Sequence, residues 1–503
     1  MVSDLSPYIE HYYFIMQANI IFAIVCLFVL AFALIERYWR LRKIPGPFLA
    51  SVTDLWRFRI HLRGPVFPSF QTMHQKYGPV VRTGPTTVSI SDPAAVKVVY
   101  AARTGFTKAD SYGPMRVFVG GKSVGSIIDM QDEQQHNALK RAIRGSFISK
   151  NLLDYEPDVD LNLKNLLLRL ENFPICNLYK TLQFYQLDFL AKIAFSEAPG
   201  HLEKGEDVLG LGSSGHVRVS HWFTWHAVPY LERLFFHNRL WSRWFARPSE
   251  WVKMSYNKLR TRQASLEPPP ERKDLLQKYI EASRKYPDTV YPETIASLVN
   301  STVSAGADTT AGTMTTILYF LIKHPEAHER VLKELREANL SSDSPSYSEV
   351  KSLPFLDAVL KESLRLNPPL AVPLERVVPH AGCTVAGVYL PPKTVIGCLA
   401  KLIHLDRDCY GEAPGEFRPE RWLTSQAAKL QAMEQGFLSW GSGGRVCLGR
   451  YIAEMEIKKV ISSILLHCEV MFVDNETSLP MLEGIIEFEK NPILVNFSTK
   501  RAA

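Results

Sequence analysis

Cys447 lies in the loop Phe437-Leu438-Ser439-Trp440-Gly441-Ser442-Gly443-Gly444-Arg445-Val446-Cys447-Leu448-Gly449-Arg450, and an apolar-periodic helix pattern, Tyr451 to Leu466, starts directly behind it. A cysteine so placed suits a thiolate metal ligand. Glycines let the backbone turn tightly and approach a flat cofactor, and backbone N–H groups can point at the sulfur. The helix N-terminus adds partial positive charge, which lowers the thiol pKa toward the metal-binding anion. A lone cysteine is equally an ordinary small buried hydrophobe, so the loop alone leaves both readings open.

A second constellation lies in Ala305-Gly306-Ala307-Asp308-Thr309-Thr310, in the middle of a helix pattern running from Pro292 to Lys323 and stopped by His324-Pro325. At about 1.5 Å per residue this helix spans most of a domain. Gly306 and Gly312 each weaken a helix interior by up to about 1 kcal/mol, which calls for a reason: close approach of a ligand to the backbone, or a local widening of the helix. Asp308 and Thr309 then place an acid and a hydroxyl beside that opening, a pair suited to relaying protons. A small-residue helix crossing, with Thr309 bonded back to a carbonyl, gives the same pattern.

A third group is structural. Glu362 and Arg365 fall one turn apart on a helix that stops before Pro368-Pro369, and Phe417-Arg418-Pro419-Glu420-Arg421-Trp422 offers a further arginine on a turn. Most such ion pairs are solvated and worth little. Leu360, Leu364 and Leu366 mark this helix as largely buried. A carboxylate clamped by Arg365 and Arg421 would lock the turn onto the helix and set the floor under the Cys447 loop, at a high cost if one partner is removed.

The elements around these residues read as mainly α with a small β region. Val80–Thr83 and Thr87–Ile90 flank Gly84-Pro85 as a hairpin. From about Gln131 to Lys458 the pattern is helical, interrupted by strands around Arg376–Val378 and Thr394–Gly397. Aromatic residues crowd 211–248, including Trp222, Phe223, Trp225, Phe235, Trp244 and Phe245, as an ordinary core helix pair or as a surface that dips into a bilayer.

Phe14 to Ile35 is apolar apart from Gln17 and Asn19, and about 20 such residues cross a bilayer core of about 30 Å. Asp4 and Glu10 precede the run, and Arg37, Arg40, Arg42 and Lys43 follow it. A cleaved signal would carry its positive charge before the run. The reading is therefore a lumenal N-terminus over 1–13, a transmembrane anchor over 14–35, a basic and proline-rich hinge over 36–47, and a cytosolic catalytic domain over 48–503. Localisation follows as a single-pass protein of the endoplasmic reticulum membrane. The seven cysteines form no CxxC pair, which excludes a disulfide scaffold and agrees with a reducing compartment. A net charge of +7 without basic stripes or stacking motifs excludes nucleic acid as partner and suits a membrane surface and an acidic protein.

Together these pieces resemble the cytochrome P450 family over essentially the whole chain. The family loop Phe-x-x-Gly-x-Arg-x-Cys-x-Gly is met by Gly443, Arg445, Cys447 and Gly449, with Trp440 at the usual Phe position. Ala-Gly-x-Asp-Thr is complete at 305–309, Glu-x-x-Arg at 362–365, and Pro-x-Arg at 419–421. Tyr77-Gly78-Pro79-Val80-Val81-Arg82-Thr83-Gly84-Pro85, Val88-Ser89-Ile90-Ser91-Asp92-Pro93 and His136-Asn137-Ala138-Leu139-Lys140-Arg141 look like the pisatin demethylase-like fungal group.

The resemblance implies the P450 fold, with the long central helix over haem b. Cys447 would be the axial ligand of the iron. Arg445, Arg376, His136 and Lys140 would pair with the haem propionates, with Gly443 and Gly449 shaping the loop. Asp308 and Thr309 would support protonation at the distal side, where Ala305 and Gly306 line the oxygen pocket. Substrate would meet Ser111–Phe118, Ala371–Leu374 and Leu482–Ile486. The implied reaction inserts one oxygen atom into a lipophilic molecule of fungal secondary metabolism. Electrons would come from NADPH through NADPH-cytochrome P450 reductase, with cytochrome b5 as a further partner. Lys140, Arg144, Lys458 and Lys459 are candidates for a basic patch facing that reductase. A haem-thiolate isomerase or dehydratase is the competing class, and the intact Asp308-Thr309 pair argues against it.

Overall fold

In the computed structural model, which describes residues 6–119, 122–238, 240–241, 249–265, 273–342, 344–370, 372–474, 476–479 and 491–500, helices dominate. Those that position the site are α1 (Ser6–Arg40), α2 (Glu133–Ile143), α3 (Leu178–Phe195), α4 (Leu211–Trp225), α5 (Pro292–Lys323), α6 (Pro354–Leu366) and α7 (Arg450–His467). Proline in the first turn starts α5 and α6, where its missing N–H costs nothing. The bounds of α5 are those read from the sequence, because Pro292 and His324-Pro325 bracket it. It is buried around most of its circumference, as a helix through the middle of a large core must be. It packs along α3, itself buried on nearly every side.

That crossing explains one of the helix glycines. A Cβ at Gly306 would come within 2.9 Å of Leu190 Cδ1 on α3. The direction in which Gly306 lacks a side chain is filled by a neighbouring helix, so close helix packing supplies the reason the sequence left open.

The strands are short. They are β1 (Val80–Arg82), β2 (Thr87–Ile90), β3 (Thr107–Lys108), β4 (Val117–Val119), β5 (Lys122–Val124), β6 (Ile175–Asn177), β7 (Arg376–Val377), β8 (Cys383–Val385), β9 (Val388–Leu390), β10 (Val395–Cys398), β11 (Cys468–Phe472) and β12 (Leu494–Thr499). The five-stranded sheet runs β1-β2-β10-β7-β3 and the three-stranded sheet β11-β12-β6, while β4-β5 and β8-β9 are separate hairpins. Pairing of β1 with β2 is antiparallel, as the hairpin reading requires, and β10 adds to β2 in parallel, Val395 opposite Thr87. Only β10 and β2 run parallel in this sheet. The architecture is the mainly α fold with small sheets that the sequence implied.

The segment between α1 and the body is docked rather than free. Leu41 and Ile44 are buried in the core of the five-stranded sheet. Arg82 on β1 collects the carbonyls of Arg37, Tyr38, Ser51 and Pro85 at 3.0, 3.1, 3.2 and 2.8 Å. Its own N–H donates to Pro45 O at 2.7 Å. A Cβ at Gly46 would lie 2.3 Å from Arg82 O, so only glycine lets the chain pass this close.

The anchor expected at 14–35 falls within α1, where Phe14, Phe22, Phe28 and Phe32 are exposed. Among the described residues no helix is long and apolar enough to cross a membrane, so the expected span is not found there. The aromatic stretch after 211 divides. Trp222 and Phe223 are core, packed with Tyr112, Met115 and Val372. Phe235 is exposed, and Trp244 and Phe245 lie outside the described residues.

Candidate functional site

The Cys447 loop is a tight backbone construction. Gly441 and Gly443 adopt positive φ, +70° and +60°, and a Cβ at Gly443 would lie 1.9 Å from Tyr100 O. Cys447 N–H donates to Trp440 O at 2.8 Å, so the aromatic residue at the unusual Trp440 position closes the loop through its carbonyl. Gly449 caps α7. Cys447 is exposed and yet closely surrounded by protein, so its thiol faces a recess rather than open solvent. Burial pushes the thiol pKa up, only partly offset by the backbone N–H groups of Gly449 and Arg450 and the charge of Arg450. The expected lowering by the helix N-terminus is therefore outweighed. A thiolate here calls for a cation of its own, which a bound metal supplies.

Beneath the loop the expected lock is present. Arg365 donates to both carboxylate oxygens of Glu362 at 2.8 Å, and Arg421 Nε donates to Oε1 at 2.8 Å. Trp422 Nε1 and the Arg418 N–H complete the carboxylate at 2.9 Å each. Arg365 also donates to the carbonyls of His404 and Pro414 at 2.7 and 2.6 Å. Glu362 and Arg365 are fully buried, and every lone pair has a donor, the condition under which a buried pair holds.

The sequence reading missed the link from this lock to the cysteine. His404 Nδ1 sits 2.9 Å from Arg365 O, while Leu438 N–H donates to Nε2 at 2.9 Å. Those partners fix the neutral tautomer with the proton on Nδ1. Burial and the Arg365 charge push the His404 pKa down to about 3. Ser439 Oγ donates to Leu364 O at 2.8 Å, a second tie between α6 and the loop. No sequence motif marks His404; only the fold brings it there.

On the other side of the loop, α2 is capped by Asp132, whose side chain accepts from the N–H groups of Gln134 and Gln135. Arg445 donates to Glu133 Oε1 from Nε and Nη2 at 3.1 and 2.6 Å and to Met130 O at 2.8 Å. Lys140 Nζ donates to Gly444 O at 2.7 Å. His136 is buried with its Nδ1 unpartnered. Burial first, then the charges of Arg445, Lys108 and Lys140, hold its pKa at about 3.

Arg376 stands on β7, and the register of the sheet sets Lys108 of β3 directly opposite it. Like charges facing across a strand pair repel. Burial, then Arg376 and Arg445, push the Lys108 pKa well down. Lys108 Nζ donates to Ile128 O and lies 4.0 Å from the Tyr112 ring centroid. Arg376 donates to Tyr112 Oη at 3.3 Å. Among the described residues neither cation has a carboxylate in ion-pair range. Lys108 carried no signal in the sequence, since a two-residue strand is visible only through its partner.

On α5, the central motif points in two directions. Ala305 is exposed and Thr309 half-buried, with Thr309 Oγ1 donating to Ala305 O at 2.7 Å. Asp308 is buried toward α3, where Gln183 Nε2 and Tyr179 Oη donate to its Oδ1 at 2.7 and 3.2 Å. The acid and the hydroxyl are neighbours in sequence with different partners in space. Of the expected substrate segments, Ser111, Tyr112 and Met115 are buried, while Ala371 and Leu482–Ile486 lie outside the described residues.

One expectation is corrected. Lys458 and Lys459 do not form a solvent-facing basic patch. Lys458 pairs with Asp357 at 3.0 Å, and Lys459 pairs with Glu156 and Asp160 at 2.6 and 2.7 Å, all with the amine ends buried. Carboxylates from distant parts of the chain neutralise them.

A thiol in a recess, an orphaned buried imidazole and paired cations short of carboxylates together fit a flat cofactor with two carboxylates and a thiolate-bound metal. Residues 45–497 match the Cytochrome P450 family. A Cytochrome P450 monooxygenase of Aspergillus terreus is 34% identical over 460 residues, covering 87% of this chain and 92% of that protein. Cytochrome P450 monooxygenase mfmA of Annulohypoxylon moriforme is 34% identical over 464 residues, 87% of this chain and 89% of that one. Cytochrome P450 monooxygenase mpaDE of Penicillium brevicompactum is 34% identical over 457 residues, 88% of this chain and 54% of that protein, so the chain spans about half its length. The chain belongs to the cytochrome P450 family, whose members are haem-thiolate enzymes with haem b. It is an oxidoreductase of the monooxygenase type.

Proposed function

We propose that this protein inserts one oxygen atom from O2 into a lipophilic small molecule, with Cys447 as the residue whose thiolate would hold the haem b iron. The observation that carries the reading is the junction at the loop: the Glu362–Arg365–Arg421 lock fixes it through His404 and Leu438, and Arg445 and Lys140 fix its other flank. When bound, haem would supply the oxygen-activating chemistry, which a thiolate ligand promotes.

The remaining work falls to side chains. Arg376 would hold a propionate carboxylate as a cationic donor does, with Lys108 and the neutral His136 ring beside it. Arg445 and Lys140, expected to join them, are instead bonded to Glu133 and to Gly444 O and keep the loop in place. Gly443 lets the loop pass close to Tyr100, and Gly449, with only Cys447 Sγ near its Cβ direction, would let the backbone lie close to the ring. Thr309 Oγ1 gives its proton to Ala305 O, and its lone pairs can accept from a proton-carrying water on that side of α5. Asp308, held by Gln183 and Tyr179, is the acid behind it. Gly306 gives α5 its close approach to α3 and so sets the height of this wall. Tyr112, Met115 and Val372 form apolar walls for substrate.

Electrons would come from NADPH through NADPH-cytochrome P450 reductase, with cytochrome b5 as a second donor. The apolar run Phe14–Ile35 followed by Arg37, Arg40, Arg42 and Lys43 supports a single-pass anchor in the endoplasmic reticulum membrane with the body in the cytosol. The motifs at 77–93 and 136–141 support placing the chain in the pisatin demethylase-like fungal group, with a role in fungal secondary metabolism.

The test is spectroscopic and then catalytic. Reduced microsomal protein under carbon monoxide should show the strongly red-shifted thiolate Soret band. Turnover of an intermediate from the accompanying biosynthetic pathway should require NADPH and reductase. Turnover without them would move the protein to the isomerase class.

A further inference from the structure

Arg218 stands on the inner face of α4, and neither the haem cradle nor the lock uses it. Three residues earlier on that helix, a Cβ at Gly215 would lie 3.9 Å from Asp308 Oδ2, so this stripe of α4 looks onto the middle of α5. On its other side, Val219 and Trp222 pack with Tyr112, Met115 and Val372. Arg218 is thus framed by the walls assigned to substrate.

Its own bonds are few. Nε and Nη2 both donate to one carbonyl, Met115 O, at 3.1 and 2.6 Å. A guanidinium has more N–H donors than that, and the described residues offer them no further acceptor. Asp129 is the carboxylate whose charge reaches Arg218, and it is committed elsewhere. Its Oδ1 accepts from Ser126 N–H and Oγ–H, and its Oδ2 accepts from Arg116 Nε at 3.3 Å. Burial pushes the Arg218 pKa below that of a free guanidinium, with Asp129 opposing. A cation held among apolar walls with a single carbonyl is short of an anion.

We propose that Arg218 is a specificity-determining residue that binds the carboxylate of an otherwise lipophilic substrate and so orients it between α4 and α5. The planar fork of an arginine matches a carboxylate in two parallel bonds, which fixes direction as well as adding affinity. This deepens the monooxygenase reading and rests on it.

The test uses the full-length, haem-loaded enzyme. It is titrated with dodecanoate and with biphenyl-4-carboxylate, each against its methyl ester, and the shift of the ferric Soret band gives Kd. Wild type should bind at least one acid about tenfold or more tighter than its ester, the size of a charged hydrogen-bond pair. Arg218→Gln and Arg218→Met should erase that preference while leaving ester binding close to wild type, and Arg218→Lys should keep part of it. Equal binding of acid and ester by wild type in both pairs, or a preference that survives Arg218→Gln, overturns the assignment. If neither Gln nor Met carries haem, Arg218 is a brace for Met115 and the proposal falls. A wild-type protein without the thiolate Soret band would instead defeat the monooxygenase reading beneath it.

Discussion

The two sides of the Cys447 loop are built on opposite principles. Below it, Glu362, Arg365, Arg421, Trp422 and His404 are buried and bonded to one another and to nearby carbonyls, leaving no capacity for anything else. On α5 and α4, the side assigned to ligands, Ala305 is exposed, Thr309 bonds only within its own helix, and Arg218 keeps donors in reserve. The saturated side holds geometry and the unsaturated side receives ligands. A variant below should cost folding and haem capture together, while a variant on the ligand side should leave both and change what the enzyme does.

The largest effect expected is at the point where the sides meet. Cys447→Ala should abolish the red-shifted Soret band of the reduced carbon monoxide complex while the fold, read by circular dichroism, persists; retention of the band would break the ligand assignment. Next comes the lock. Glu362→Ala leaves two guanidiniums facing each other without their carboxylate, at a cost of about 3–5 kcal/mol, and should give protein that neither melts cooperatively nor takes up haem. Normal haem content in that variant would remove the contrast between the sides.

On the ligand side, Thr309→Ala should leave haem uptake and thermal stability near wild type. Product formed per NADPH consumed should fall by roughly a hundredfold, the lower range for a lost proton-transfer group, and Thr309→Ser should restore much of it.

The smallest effect is a pH slope. His404 is neutral in the fold with a pKa of about 3, against about 6.5 unfolded. The unfolded chain therefore binds the extra proton first, so this contribution is complete above about pH 6.5 and is lost as pH falls toward 3. Between pH 7 and 5 it should amount to about 2 kcal/mol, measured as the part of the acid destabilisation that His404→Gln removes. An unchanged slope would show that His404 does not hold the loop as a neutral acceptor.

What could be read from the sequence divides along the same line. The saturated side is written in spaced motifs: Glu362 and Arg365 are one turn apart, and Arg421 follows a proline turn. The bounds of α5 were legible because prolines bracket it. Lys108 was not, because its role comes from a two-residue strand laid opposite Arg376 by the sheet. His404 was hidden for the same reason, being tied to α6 and the loop only in three dimensions. Lys458 and Lys459 misled in reverse: adjacent lysines look like a surface patch until Glu156, Asp160 and Asp357 arrive from elsewhere. Gly306 invited a ligand explanation, and Leu190 on a neighbouring helix supplies the answer.

The Arg82 crown has a practical consequence for anyone shortening the chain. Arg82 is 2% exposed and depends on carbonyls at Arg37 and Tyr38, while Pro45 O takes its N–H. Cutting after residue 47 to simplify expression would strip these acceptors from a buried cation, at about 1–3 kcal/mol for each unsatisfied group. Leu41 and Ile44 would be lost from the sheet core with them. The safe place to begin a trimmed protein is upstream of Arg37, within α1.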